Sequence, residues 1–245
     1  MKSPNKTVLI TGATRGIGLA FVKFYHARGW NVIAAARSLN AADELRKIDP
    51  YKIIQLDVSD EESILQAAAE LEHEVIDVLV NNAGIGEHDS LTTCTKAGIL
   101  KHVEVNALGP LLLTRALERQ LKAAVEEHGS SVVANMSSVL GSMTENGENA
   151  TGSWAFRPGA CYAYRTAKAA LNMIITNLAA DMKKIGVVIL SLHPGNVATD
   201  MTKTAGIASL LTADESVANM SKLIADATID KSGNFFNLDG TPLPW

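Results

Sequence analysis

Short runs of β-branched and aliphatic residues alternate along the chain with longer stretches of helical period. The runs predict strands over Thr7–Thr11, Asn31–Ala36, Lys52–Leu56, Val75–Asn81, Ser131–Asn135, Val187–His193 and Asn234–Asn237. The stretches between them are rich in Ala, Leu, Glu and Lys, as helix interiors are. Val75-Ile76-Asp77-Val78-Leu79-Val80 is almost wholly apolar, the mark of a parallel strand covered on both faces. Ser59-Asp60-Glu61-Glu62 and Thr212-Ala213-Asp214-Glu215 have capping-box spacing and sign two helix starts. Strands alternating with helices build βαβ units, so the expected class is α/β: a doubly wound parallel sheet of about seven strands with helices on both faces. No repeat or linker interrupts the pattern. Gly141–Gly159, rich in Gly, Asn and Ser, reads as a long loop, and residues 1–245 are expected to form one domain.

Composition mainly removes alternatives. The 245 residues are 47% hydrophobic and 20% charged, ordinary globular usage. A formal charge of −4 argues against nucleic acid as a partner, and 5% aromatics make poor stacking platforms. No apolar run approaches the roughly 18–20 residues that span a bilayer. Met1–Ile10 carries two lysines but only Val8-Leu9-Ile10 as an apolar run, which is no secretory signal. Cys94 and Cys161 form neither a disulfide framework nor a zinc cluster, and the six histidines lack ligand spacing, so no metal is expected. These features predict a soluble, cytoplasmic protein.

Directly after the first strand comes Thr11-Gly12-Ala13-Thr14-Arg15-Gly16-Ile17-Gly18. Glycines there let the backbone turn sharply beside a pyrophosphate, whose charge meets the N–H groups of a helix start. The spacing differs from the strict G-x-G-x-x-G fingerprint, and alone it marks only a tight turn. Within a first βαβ unit it points to a Rossmann-type nucleotide site.

Four further motifs follow in order: Asn81-Asn82-Ala83-Gly84, Ser138 after the fifth strand, Tyr164-x3-Lys168, and Pro194-Gly195 after the sixth strand. With these the chain resembles the short-chain dehydrogenase/reductase family along nearly its whole length. Tyr164-Arg165-Thr166-Ala167-Lys168-Ala169-Ala170-Leu171-Asn172-Met173 and the ending Asp239–Trp245 look like its C-factor or sniffer-like carbonyl reductase branch. The resemblance implies a catalytic set of Asn106, Ser138, Tyr164 and Lys168. It implies that Gly12, Thr14, Arg15, Gly16, Ile17 and Gly18 hold a dinucleotide and that Asp57 and Val58 meet its adenine end. Asn82, Ala83 and Gly84 would flank the adenosine ribose, and Pro194, Gly195, Val197 and Thr199 the nicotinamide carboxamide. Tyr164 and Lys168 would touch the cofactor too, and the assembly would be a homodimer or homotetramer.

The residues support part of this independently. Tyr164 and Lys168, four apart on a helix, share one face. Lowering a phenol from its usual value near 10 by about three units takes roughly 4 kcal/mol. One ammonium about 4 Å away supplies that at an effective dielectric near 20. Tyr162, the rival phenol, has Thr166 where Lys would be needed. Ser138 closes the fifth strand at the carboxyl edge and can donate to a substrate oxygen as charge builds there. Alternation says only that it and Ser137 point opposite ways; the family's Ser-Ser pair selects the second. Asn106 lies in a helical pattern from about Ile99 to Glu127, four residues before Pro110, which has no N–H for its carbonyl. That carbonyl can then hold a water linking Lys168 to solvent, or Gly109-Pro110 can simply separate two helices.

Ala36-Arg37-Ser38 stands after the second strand, where NAD-specific sites place an acid. Arg37 and Arg15 can grip a 2′-phosphate with no carboxylate to repel it, which favours NADP(H). Glu87-His88-Asp89 reads as a solvated loop, His193 as a strand-end residue, and Cys161 as a small half-buried filler. Ser138 and Tyr164 stand 26 positions apart, longer than in many relatives, which puts the pocket's shape and the usual subunit pairing in doubt. Met143, Trp154 and Phe156 lie in that interval, either pinning the loop to its domain or covering the pocket as a lid.

The leading reading is NADPH-dependent reduction of a ketone, aldehyde or quinone, with a small-molecule carbonyl or alcohol as the partner. A dinucleotide-binding regulatory protein and an isomerase or dehydratase on the same scaffold are the alternatives.

Overall fold

A computed structural model describes residues 6–146, 160–204 and 210–245. Its strands are β1 (Thr7–Thr11), β2 (Asn31–Ala36), β3 (Lys52–Gln55), β4 (Val78–Asn81), β5 (Ser131–Met136), β6 (Val187–His193) and β7 (Phe235–Asn237). They form one parallel sheet in the order β3-β2-β1-β4-β5-β6-β7. The strand order reverses between β1 and β4, so a crevice opens beyond their carboxyl ends.

Alternating side chains build the two layers of core. Leu9, Ile33, Leu79, Val133 and Ile189 cluster with α3 (Glu61–Glu70), α5 (Gly109–Ala116), α6 (Glu118–His128) and α7 (Tyr162–Met182). Val8, Ile10, Val32, Val80 and Leu190 cluster with α1 (Gly16–His26), α2 (Asp43–Ile48) and α9 (Ala213–Ala225). Each fully buried aliphatic side chain contributes roughly 1.5–3 kcal/mol, so packing rather than propensity holds these helices on the sheet. Two more helices are α4 (Lys96–Val103), which packs against α7, and α8 (Asp200–Thr204), which follows β6.

Several elements differ from the sequence expectation for identifiable reasons. β4 begins at Val78 rather than Val75, because the Ile76 amide donates to Gln120 in α6 instead of to a strand. β3 stops one residue early, at Gln55, and β7 starts one residue late, at Phe235. Thr212 and Glu215 form the capping box of α9, but Ser59 forms none. Its hydroxyl donates to Asp57 Oδ1 at 2.6 Å, and Asp60 caps α3 by accepting from the Glu62 amide at 3.0 Å. The single helical pattern from Ile99 to Glu127 is divided into α4, a π-helical turn over Glu104–Leu108, α5 and α6.

Met143 is 75% exposed, so it is not the buried loop anchor its apolarity suggested. Trp154 and Phe156 lie outside the described residues.

Candidate active site

The glycine loop is tied to the end of β4 by one hydroxyl. Thr11 Oγ1 accepts from the Asn82 and Ala83 amides, each at 2.9 Å. Asn82 Nδ2 donates back to the Thr11 carbonyl at 2.8 Å. The fit needs glycine: a Cβ on Gly18 would lie 2.2 Å from the Gly12 carbonyl oxygen, and one on Gly12 (φ +64°) 2.9 Å from Ala83 Cα. Helix α1 then starts with no side-chain cap and no acid in its first turn. Its N–H groups are therefore left for an anion, and the cradle suits a dinucleotide phosphate. Thr14 and Ile17 are partly buried in this turn, and Ile17 packs against the core on the α1 side.

The segment after β6 closes the other wall. A Cβ on Gly16 (φ +55°) would sit 3.6 Å from the Thr199 methyl, so the glycine loop faces this segment. Pro194 accepts from the Ser216 hydroxyl at 2.6 Å, Val197 is buried and bridges to Leu211, and Gly195 (φ +79°) has Leu211 and Leu238 where a side chain would go. The Gly12–Gly18 loop, Asn82-Ala83-Gly84 and Pro194–Thr199 thus converge at one sheet edge.

Arg15 and Arg37 are exposed. Arg15 Nε lies 3.5 Å from Asp200 Oδ2. Arg37 lines a depression of about 400 Å³ with Gln55, Asp57, Asp60 and Glu70. Carboxylates therefore do stand near Arg37, contrary to the local sequence: Asp57 and Asp60 come from the turn after β3 and Glu70 from the end of α3. Asp57 Oδ1 is occupied by the amide and hydroxyl of Ser59. Ser38 opens a 3-10 turn, and Val58 packs under the π turn, 2.6 Å from where a Gly109 Cβ would be.

Helix α7 carries Tyr164 and Lys168 on one face, with Lys168 Nζ 5.6 Å from the Tyr164 ring centre. Lys168 is buried and donates to the Met136 carbonyl at 2.7 Å. Ser138, where the chain leaves β5, has its hydroxyl beside the Tyr164 phenol and pulls the phenol's pKa down. Its neighbour Ser137 is turned into the core, donating to Asn172 Oδ1 at 2.6 Å. Burial dominates both titrating groups: it pushes the Tyr164 phenol up to about 12, partly offset by Ser138, and the Lys168 ammonium down to about 8. In this state Lys168 is not what governs the phenol, contrary to the estimate from charge separation alone.

Asn106 sits in the π turn that directly precedes Gly109-Pro110, where the proline has no N–H to offer the Asn106 carbonyl. Its side chain holds Ile85: Oδ1 accepts from the Ile85 amide and Nδ2 donates to the Ile85 carbonyl, each at 2.9 Å. Among the described residues no group of three or more His, Cys, Asp or Glu could hold a metal, and no helix is long and apolar enough to cross a membrane.

A family model for short chain dehydrogenases matches residues 6–208. The chain belongs to the short-chain dehydrogenase family. Within it the chain is similar to the carbonyl reductases. It is 33% identical to the NADPH-bound carbonyl reductase from chicken fatty liver, covering 98% of this chain and 99% of that one with a TM-score of 0.87. The carbonyl reductase Sniffer of D. melanogaster matches at 28% identity, 98% and 100% coverage and a TM-score of 0.85. A 1-hydroxy-2-glutathionyl-2-methyl-3-butene dehydrogenase from Rhodococcus sp. (strain AD45) is 34% identical over 98% of this chain and 99% of its own length.

Three supporting residues of this short-chain dehydrogenase were not singled out in the sequence. Asn172, one turn beyond Lys168, accepts from Ser137 and Ser191 and donates to the Gly141 carbonyl at 3.3 Å, fastening α7 to β5 and β6. Its only signal was its place in the motif around Tyr164. Thr11 was read merely as the start of the glycine motif. Asp89, assigned to a solvated loop, instead accepts from the Ala163 amide of α7 at 3.1 Å.

Proposed function

We propose that this protein is an NADPH-dependent carbonyl reductase that converts a ketone, aldehyde or quinone to an alcohol and runs in reverse as an alcohol dehydrogenase. The observation that carries the reading is the meeting of the Ser138 hydroxyl with the Tyr164 phenol, one helical turn from Lys168, at the edge where the glycine cradle opens. Similarity to an NADPH-bound carbonyl reductase supports it.

When bound, the nicotinamide would supply a hydride to the carbonyl carbon. As the C=O π electrons move onto oxygen, Ser138 Oγ donates a hydrogen bond to the growing charge. Tyr164 donates to the same oxygen and passes it a proton, so hydride and proton together complete the alcohol. A phenol held near 12 carries its proton at neutral pH but gives it up reluctantly, so the transfer leans on the charge of Lys168. The phenolate left behind would be stabilised by the Lys168 ammonium, which lies on the same face of α7. Buried Lys168 is held in place for this by the Met136 carbonyl. Asn106 keeps the π turn against the loop after β4, where its backbone carbonyl has lost the Pro110 partner.

Arg37 and Arg15 would take a 2′-phosphate, and Asp57 and Val58 the adenine. Asn82, Ala83 and Gly84 would bind the ribose, and Pro194, Gly195, Val197 and Thr199 the carboxamide. Two cysteines with free thiols suit a reducing, cytoplasmic setting. The test is consumption of NADPH with a panel of ketones, aldehydes and quinones. Binding without turnover would replace this reading by a regulatory dinucleotide-binding protein. Product formation without nucleotide consumption would replace it by an isomerase or dehydratase.

A further inference from the structure

Helix α7 is not capped by its own sequence. Its N-cap residue, Cys161, lies in left-handed backbone (φ 56°) and makes no side-chain cap. The cap comes from the loop after β4. Asp89 Oδ2 accepts from the Ala163 amide at 3.1 Å, and the Asp89 carbonyl accepts from the Cys161 amide at 2.8 Å. The next residue, Ser90, forms an antiparallel bridge with Ala160. Three positions just before and inside the first turn of α7, Ala160, Cys161 and Ala163, are thereby held by two residues from a distant part of the chain.

We propose that Asp89 is a positioning residue for the proton donor: it clamps the first turn of α7 and so fixes Tyr164 against Ser138. This rests on the role proposed for Tyr164. Ser138 belongs to the end of β5 and Tyr164 to α7, so their alignment depends on how α7 is seated, not on either element alone. Ala163, the residue clamped by Asp89, immediately precedes Tyr164. A carboxylate also suits the positive end of a 21-residue helix. The loop that bears Asp89 starts at Asn82-Ala83-Gly84, beside the glycine cradle, and is pinned midway by Asn106 through Ile85. One short stretch therefore joins the nucleotide cradle to the helix of the proton donor. The groups that shift the Tyr164 phenol are burial, Ser138 and Cys161, not Asp89. Its influence is geometric.

The experiment compares Asp89→Ala and Asp89→Asn with the parent in the full chain. It reads amide hydrogen exchange over residues 161–166, the NADPH Kd, and kcat with a saturating carbonyl substrate. Asp89→Ala removes the acceptor, so exchange at Ala163 should rise by about tenfold or more while the later turns of α7 stay protected. Its kcat should fall by about tenfold or more, as a small misplacement of a reacting group does, with the NADPH Kd within about twofold of the parent. Asp89→Asn keeps an acceptor oxygen and should restore both readouts to within about threefold of the parent. Exchange and kcat unchanged in Asp89→Ala would overturn the proposal, as would Asn behaving like Ala, or kcat and NADPH affinity falling together. If the parent turns over no carbonyl, the proposed function fails and the exchange readout still tests the clamp. Should Asp89→Ala not fold, Asp89→Leu, of similar shape but without an acceptor, carries the same readouts and the same overturning results.

Discussion

Asn106 and Ile85 exchange two hydrogen bonds, amide to Oδ1 and Nδ2 to carbonyl, each of 2.9 Å. An asparagine side chain here replaces a stretch of β-ladder, locking the π turn to the loop that leaves β4. Asn106→Ala removes both bonds and strands two partly buried backbone groups. The expected cost is about 2–4 kcal/mol, read as a lower urea midpoint with an unchanged m-value. Turnover should fall as well, since Gly84 stands against the same side chain. A midpoint equal to the parent's would remove Asn106 from this role.

The fold was legible where one local signal decides it. β1, β2 and β6 have the bounds their apolar runs predict, because a strand covered on both faces shows itself continuously. Other features are set by distant partners. Val75 and Ile76 look like strand, but Gln120, far along the chain, takes the Ile76 amide. Pro110 announced a disturbance near Asn106 without saying that a π turn would absorb it. Alternation separated Ser137 from Ser138, yet only Asn172 shows which of them points inward. Asp89 lies 74 residues from the amide it caps, so its neighbours Glu87 and His88 suggested only solvent. The charge estimate for Tyr164 and Lys168 omitted burial, which outweighs it in the folded protein.

Tyr164→Phe removes the proposed proton donor and little else. Turnover should drop by at least about a hundredfold, the usual scale of general acid catalysis, while NADPH still binds with near-parent affinity. Lys168→Ala should damage both, because the ammonium stabilises the phenolate and by the family resemblance also holds the nicotinamide ribose. Steady-state kinetics paired with fluorescence titration of the nucleotide separate the two effects. Near-normal activity in Tyr164→Phe would refute the mechanism.

Arg37 should decide between the two nicotinamide dinucleotides. Arg37→Asp replaces an attractive charge by one that repels a 2′-phosphate, in a depression that already holds Asp57, Asp60 and Glu70. Preference should move from NADPH toward NADH by about tenfold or more, the loss expected for a charge-assisted contact. Arg37 is exposed, so thermal stability should change little. The ratio of kcat/KM for the two nucleotides is the measurement, and an unchanged ratio would place Arg37 outside the site.

Stability should depend on pH through the same buried pair, Lys168 and Tyr164, that is proposed to serve the reaction. Burial holds the Lys168 ammonium down to about 8, below its usual value of 10.5. Between those two values the unfolded chain keeps a proton that the folded protein has released, so stability rises with pH across that window. Below about 8 the penalty is fully present, roughly 3 kcal/mol as an order of magnitude. The Tyr164 and Tyr25 phenols, both pushed up to about 12 by burial, act oppositely. From 10 to 12 the folded protein keeps protons that the unfolded chain loses, so stability falls again there. The nucleotide-free protein should therefore be most resistant to urea near pH 10, on the alkaline side of neutrality. Lys168→Met removes the buried ammonium and should flatten the rise between pH 8 and 10 while leaving the fall above 10. Urea midpoints measured at pH 7.5 and 9.5 test this. A parent whose midpoint does not increase between them, or a Lys168→Met variant that keeps the same increase, would show that Lys168 is not the group responsible.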